Sequence, residues 1–334
     1  MYGGVQFMIK QVSLIIPFKS DKSEKEQLFT LLRGISNWKA VPNEIIIINT
    51  DLKQLSFPRD IELFAEQNSI NFCIFHQERL YPGHARNIGI DNASNSLLAF
   101  LDTSTHPCND WLFNGLNSIN TNNFEGVWGT TFYQAEKFLA KIFRASTYGE
   151  RPIQTLPGSI LHKNIFKKCG LFIESTRAGE DADFMSRAKL HNLNICESKS
   201  LLNYDKLNKM RFKEIIKKWY RNYFHVASMP YFRAHKDIYF YGISFLAIII
   251  AYNWNRVFDP TGIENEFFIP NVTKISALII FLAYLFIRGV LLPIRKGTPL
   301  KFIFPLNFIL ISFMSFLLDL TKTIAFVYSK FFKS

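Results

Sequence analysis

The hydrophobic pattern of this chain changes character near residue 205. Before it, short apolar runs alternate with polar stretches suited to helices. Val12–Pro17 (VSLIIP) and Glu44–Asn49 (EIIIIN) are apolar almost throughout and end in turn residues, as expected of strands buried on both faces of a parallel sheet. Ile70–Phe75 and Leu97–Leu101 predict a third and a fourth strand, and Lys22–Ile35, Asp60–Gln67 and Ala85–Ala93 predict helices around them. Strand and helix in alternation imply an α/β domain with a mainly parallel sheet. Ligands of such sheets bind beyond the carboxyl ends of the strands, so the residues after Ile16, Ile48 and Leu101 are the first candidates for a site.

After residue 205 the pattern is that of a membrane protein. Between Lys206 and Lys236 nine residues are Lys or Arg and Glu214 is the one acid; Met210, Ile215, Trp219 and Phe224 recur at roughly helical spacing. A basic amphipathic helix of this kind is expected to lie in a membrane interface. Three apolar stretches follow: Ile238–Val257, Thr273–Ile294 and Phe302–Leu318. Each approaches the roughly 20 residues that span a bilayer. The expected division is therefore a catalytic domain over 1–205, an interface region over 206–236 and a transmembrane region over 237–334. The loop carrying Asp259, Glu264 and Glu266 is acidic, whereas that carrying Arg295, Lys296 and Lys301 is basic. Basic loops stay in the cytoplasm, which predicts an integral membrane protein with its N-terminal domain cytoplasmic. Lys330 and Lys333 of the tail would then lie outside, a mild conflict that either a re-entrant or an interfacial last segment would resolve.

Composition supports the division. Of 334 residues 34 are Phe, more than a soluble domain needs, and Lys plus Arg exceed Asp plus Glu by 39 to 27. Cys73, Cys108, Cys169 and Cys196 form no CxxC pair, which fits a reducing compartment better than a disulfide framework or a zinc site. Residues 1–10 lack the apolar run of a signal peptide. No P-loop is present and no nucleic-acid-binding fold surrounds the basic stretch, so nucleic acid is not an expected partner.

The most informative segment is Pro82–Pro107, PGHARNIGIDNASNSLLAFLDTSTHP: a small-residue turn, an Arg-Asn pair opening a helix, then a buried strand ending in Asp102. With SLIIPF (Ser13–Phe18), GSILHKNIFKKCGLF (Gly158–Phe172) and GEDADFMSR (Gly179–Arg187), it resembles the family 2 glycosyltransferases from Ser13 to about Tyr204. The resemblance implies the GT-A nucleotide-diphospho-sugar transferase fold and an inverting transfer of a sugar, of the hexosyl class, from a nucleotide diphosphate to an acceptor. With the membrane segments, the acceptor is expected to be lipid-linked or a membrane-proximal glycan, as in surface polysaccharide synthesis.

Such a transfer breaks the bond between the anomeric carbon and the diphosphate, and the charge on the leaving group must be stabilised. In the family an Asp-x-Asp motif holds a divalent metal (Mn2+ or Mg2+) on that diphosphate. Here the motif reads Asp102-Thr103-Ser104, so a hydroxyl replaces the second carboxylate and metal use is expected to be loose. His106 is a further possible ligand, though a loop role suits it better. The resemblance assigns the general base to Asp181, with Glu180 supporting it or binding acceptor. Asp183 is an acceptor-side candidate or a helix-start residue. Pro17, Phe18, Asn49 and Arg86 are the implied donor-binding residues; Asn49 stands where the family has an acidic pair, and its amide can still bond a base edge. Lys19 follows Pro17-Phe18. Trp219, in a segment weakly similar to the family's "RW" region, stacks on the acceptor or anchors the interface helix.

Two other readings compete. A catalytically inactive sugar-binding or scaffolding paralogue would explain the altered Asp-x-Asp motif but not the intact Glu180-Asp181. A transporter with a cytosolic domain fits poorly with three spans and one intramembrane charge, Arg288.

Overall fold

The computed structural model describes residues 11–19, 21–227, 229, 249, 252–256 and 268–332. Its N-terminal part is built on one eight-stranded sheet with strand order β3-β2-β1-β4-β7-β6-β8-β5. The four apolar runs form β1 (Val12–Phe18), β2 (Glu44–Asn49), β3 (Asn71–His76) and β4 (Leu97–Phe100), all mutually parallel. Helices α1 (Lys22–Gly34), α2 (Arg59–Gln67) and α3 (Pro82–Asn92) connect them. β1, β2 and β4 are buried almost completely, which is why their sequences are continuously apolar rather than alternating.

The second half of the sheet is mixed, not parallel. β5 (Thr105–Pro107), β6 (Gly126–Tyr133), β7 (Ile153–His162) and β8 (Ile195–Tyr204) add to it; β7 runs antiparallel to both β4 and β6, and β5 antiparallel to β8. Between them lie α4 (Trp111–Asn122), α5 (Phe138–Ser146), α6 (Asn164–Cys169) and α7 (Glu180–Leu190); α8 (Phe212–Val226) follows.

Among the described residues two helices are long and apolar enough to cross a membrane: α9 (Val272–Arg295) and the helix beginning at Asn307, α10 (Asn307–Phe332). The first of the three expected spans, Ile238–Val257, lies almost wholly outside the described residues, as do Asp259, Glu264, Glu266 and 230–236 of the interface region. α9 matches the second expected span. The third is displaced: Phe302 belongs to a short helical turn, Leu300–Ile303, and the long helix starts beyond Pro305, which cannot continue a helix interior. α10 runs past Leu318 because Asp319 is neutralised there: Arg288 of α9 bonds it at 2.9 Å and the Tyr284 hydroxyl at 3.1 Å. Much of α9 faces outward with bare apolar side chains, among them Leu278, Ile279, Phe281 and Phe286.

α10 also packs on the N-terminal domain. Ile311, Met314 and Leu318 join Ala140, Ile142 and Phe143 of α5 and Ile215 of α8 in one buried cluster. Along α8, Ile215 is buried, Trp219 stands edge-on to Phe143, and Phe224 lies against Tyr328. The basic turn between α9 and α10 docks on the domain too, with the Lys296 carbonyl accepting from Glu150 and Arg151 N–H at 2.9 and 3.0 Å.

Candidate functional site

A cavity of about 410 Å³ opens beyond the carboxyl ends of β1 and β4. Three sequence-distant pieces line it: Pro17–Lys19 at the end of β1, Asp102–Thr105 after β4, and Arg177–Asp181 entering α7. Thr131, Tyr133, Tyr148, Thr155 and Tyr204 close one side, and Lys218, Arg221 and Asn222 of α8 close another.

The Arg86-Asn87 pair holds these pieces together. Arg86 is buried on α3 and donates to Glu180 Oε1 at 2.8 Å and to Asp102 Oδ1 at 3.0 Å. Burial opposes its charge, but Asp102, Glu180 and Asp181 together outweigh that, and the guanidinium is held above its ordinary range. Burial, then repulsion from Asp181, raises Glu180 above the usual carboxylate value against the pull of Arg86. Among the described residues Glu180 Oε2 has no hydrogen-bond partner. Asn87 donates to the Phe172 carbonyl at 2.9 Å and accepts from its N–H at 3.0 Å, fixing the loop that follows α6. Gly83 permits the close approach: a Cβ there would stand 2.3 Å from the Ile173 carbonyl oxygen. Arg86 lines the cavity, yet these two ion pairs direct its guanidinium at protein carboxylates.

The remaining expected site residues divide into two groups. Pro17, Phe18, Asp102, Ser104, Glu180 and Asp181 all line the cavity, as does Lys19. One oxygen of Asp181 accepts from the Ala182 N–H at 2.8 Å, a helix-start bond. Asn49, Asp183, His106 and Trp219 do not line it. Asn49 is fully buried; its amide donates to the Lys53 carbonyl at 2.8 Å and its oxygen accepts from Asp51 N–H, so it builds the turn after β2. Asp183 faces the other way and accepts from Arg187 at 2.9 Å. His106 is 3.9 Å from Asp205 on the short strand β5. Trp219 packs on Phe143, while its neighbours Lys218 and Arg221, one and two positions away along the helix, point into the cavity.

Sequence reading missed the aromatic wall. Tyr133 stacks on Tyr148 with ring centres 4.0 Å apart, and Tyr204 lies 5.1 Å from Tyr133. Burial pushes the Tyr148 hydroxyl up to about 12. Apart from Lys19, it also missed the cations. Lys218 approaches the Tyr204 hydroxyl at 3.4 Å and its ring at 5.7 Å. Burial, then repulsion from Lys206 and Arg221, brings the Lys218 ammonium down to about 8. Burial and then the nearby Arg177 lower Arg221. Lys19, Arg177, Lys206, Lys218 and Arg221 all line the cavity, and none has a carboxylate within ion-pair distance among the described residues. A helical spacing of three between Lys218 and Arg221 was the one signal available.

Among the described residues no group of three or more His, Cys, Asp or Glu side chains is placed to hold a metal ion. What the chain offers at the strand end is the second oxygen of Asp102, which is partly exposed, and the hydroxyl of Ser104, which is buried beside the Tyr204 hydroxyl. Two such oxygens suit a hard divalent cation only when a bound ligand supplies most of the others.

No protein-family model matches the sequence, and no curated protein matches it. Solved structures do match the fold. The mannosyltransferase PcManGT from Pyrobaculum calidifontis, in complex with GDP-Man and Mn2+, aligns over 96% of this chain and 88% of its own, with a TM-score of 0.54 and 12% identity. S. aureus TarS aligns at 12% identity over 96% of this chain and 54% of its own with a TM-score of 0.39; its segment 1–349 aligns at 16% identity over 96% and 91% with a TM-score of 0.41. The chain thus has a mixed α/β fold like that of this mannosyltransferase.

Proposed function

We propose that this protein is an inverting glycosyltransferase that moves a sugar from a nucleotide-diphosphate donor to a lipid-linked or membrane-proximal acceptor. The observation that carries the reading is the convergence, in one cavity beyond the strand ends, of Asp102, Asp181 and a set of cations without carboxylate partners. The fold shared with a mannosyltransferase supports it. α9 and α10 would keep the cavity near a bilayer, with the domain on its cytoplasmic side.

In this reading the donor nucleotide rests on Pro17, Phe18 and Lys19, and its diphosphate lies between Asp102–Ser104 and Lys218. The acceptor hydroxyl attacks the anomeric carbon from the side of α7, the bond to the diphosphate oxygen breaks, and Asp181 takes the hydroxyl proton. Arg86 keeps Glu180 and Asp102 in register and holds Glu180 buried behind Asp181, so the free oxygen of Asp181 stays aimed at the acceptor. Lys218 and Lys206 neutralise charge as it builds on the leaving group. Asp102 and Ser104, with the donor's own oxygens, would hold a Mn2+ or Mg2+, which would supply further neutralisation of that group. Asn49 and Trp219 act at one remove in this scheme, by shaping the turn after β2 and by seating α8.

The test is a thermal-shift screen of nucleoside diphosphates and their sugars on the full chain, with and without Mn2+. A ligand that binds only the folded state raises its stability. One base is expected to stand out, with a larger shift when Mn2+ is present. No shift with any nucleotide would sink the reading.

A further inference from the structure

The turn that joins α9 to α10 reaches the cavity through one loop, residues 147–151, which follows α5. The loop carries Tyr148, a cavity-lining residue whose ring lies flat on Tyr133, with 2° between the planes, and edge-on to Phe143. On its α5 side the loop is tied to the domain: Gly149 N–H donates to the Arg144 carbonyl at 2.7 Å, and Arg144 pairs with Glu150 at 2.6 Å and donates to the Tyr133 carbonyl at 3.1 Å. Lys296 holds the other side. Its ammonium donates to the Thr147 carbonyl, and its carbonyl accepts from the N–H groups of Glu150 and Arg151. One residue of the turn therefore bonds the backbone both before and after Tyr148-Gly149.

The two chains meet too closely for side chains at two points. Gly149 has φ of 78°, and a Cβ on it would stand 2.5 Å from the Lys296 carbonyl oxygen. Gly297 has φ of 88°, and a Cβ on it would stand 2.8 Å from Arg151 Cγ. Glycine supplies both the left-handed backbone and the room. Lys296 itself is not among the residues that line the cavity.

We infer that Lys296 is a positioning residue of the cavity: by bonding the loop on both sides of Tyr148 it sets that ring on the wall, so that the turn between the two apolar helices completes the site. Its effect on transfer rests on the transferase reading above, whereas its hold on Tyr148 does not.

The experiment is 19F NMR of the full-length protein in detergent, with 3-fluorotyrosine in place of tyrosine. Tyr148→Phe identifies the Tyr148 signal by its loss. In the otherwise unchanged protein the stack on Tyr133 is expected to displace that signal from those of exposed tyrosines. Lys296→Met removes the ammonium and leaves the carbonyl bonds that dock the turn; it is expected to move the Tyr148 signal toward the exposed position while signals remote from the loop stay in place. Lys296→Arg, which keeps a donor, is expected to restore most of the displacement. Gly149→Ala disturbs the same contact from the loop side and should move the same signal. A Tyr148 signal unmoved by Lys296→Met would overturn the inference. So would failure of both Lys296→Met and Gly149→Ala to fold, which would make the contact one of general stability.

Single-turnover transfer supplies the second readout. Lys296→Met is expected to slow it by up to about 100-fold, as a misplaced group near reacting atoms does. In a Tyr148→Ala background the same change is expected to have no further effect. Losses that multiply would show that Lys296 does not act through Tyr148. If the wild type transfers no sugar, the transferase reading fails and the NMR measurement alone judges the hold on Tyr148.

Discussion

Arg86 and Glu180 meet at 2.8 Å with both side chains almost wholly out of solvent, one in the middle of α3 and the other at the start of α7. The residues are 94 positions apart, and with Asp102 they tie both halves of the site to one helix.

Arg86→Met is therefore expected to destabilise the fold by about 3–5 kcal/mol, because it leaves Glu180 buried without a counter-charge. Arg86→Met/Glu180→Met is expected to recover a large part of that loss. Urea unfolding of the two variants checks it, with coupling between the sites read from the full cycle. Additive losses would mean that the pair acts independently.

Lys218 ties stability to pH. Its folded value, about 8, is below the ordinary 10.5 of a lysine. Between these values the unfolded chain binds the proton more tightly, so stability contributed by this group rises with pH from about 8 to 10.5 and is level outside that window. The rise is at most about 1.4 kcal/mol per pH unit. Unfolding of the wild type against Lys218→Met across the window isolates it. The same titration weakens the cavity's charge, so affinity for a nucleoside diphosphate is expected to fall above pH 8. Lys218→Arg should remove that fall.

The contact between α9 and α10 is close at one point. Gly289 lies in a π-helical turn, Ile287–Leu291, and a Cβ on it would stand 2.2 Å from the Ser312 hydroxyl and 2.5 Å from the Phe308 carbonyl. Gly289→Leu is expected to force the helices apart at a cost of about 1–3 kcal/mol and to lower the yield of a cysteine cross-link placed across them. Unchanged stability and cross-linking would show that the helices do not pack this way.

The parallel half of the sheet was legible because β1, β2 and β4 are buried on both faces and so carry unbroken apolar runs. β6, β7 and β8 were not, since their burial alternates or breaks at bulges near Val127 and Trp128. Asp102, Glu180 and Asp181 were legible through motif resemblance, which local residue order carries. Lys206, Lys218, Arg177 and Arg221 were not, because their place on the cavity depends on how α8 packs against α5 and α10, a long-range fact. For the same reason Trp219 drew attention that belonged to the residues flanking it. Asn49 and Asp183 carried suitable chemistry, but local bonds within a turn and a helix absorb it.

The central claim, sugar transfer with Asp181 as the proton acceptor, meets its most direct test in single-turnover transfer by the full-length protein and by Asp181→Asn, with donor binding measured in parallel. The substitution keeps the shape and the Ala182 contact while removing basicity. The account predicts donor affinity within about twofold of the wild type and transfer lowered by the 10²–10⁴-fold typical of general-base loss. Transfer by Asp181→Asn at the wild-type rate would contradict it.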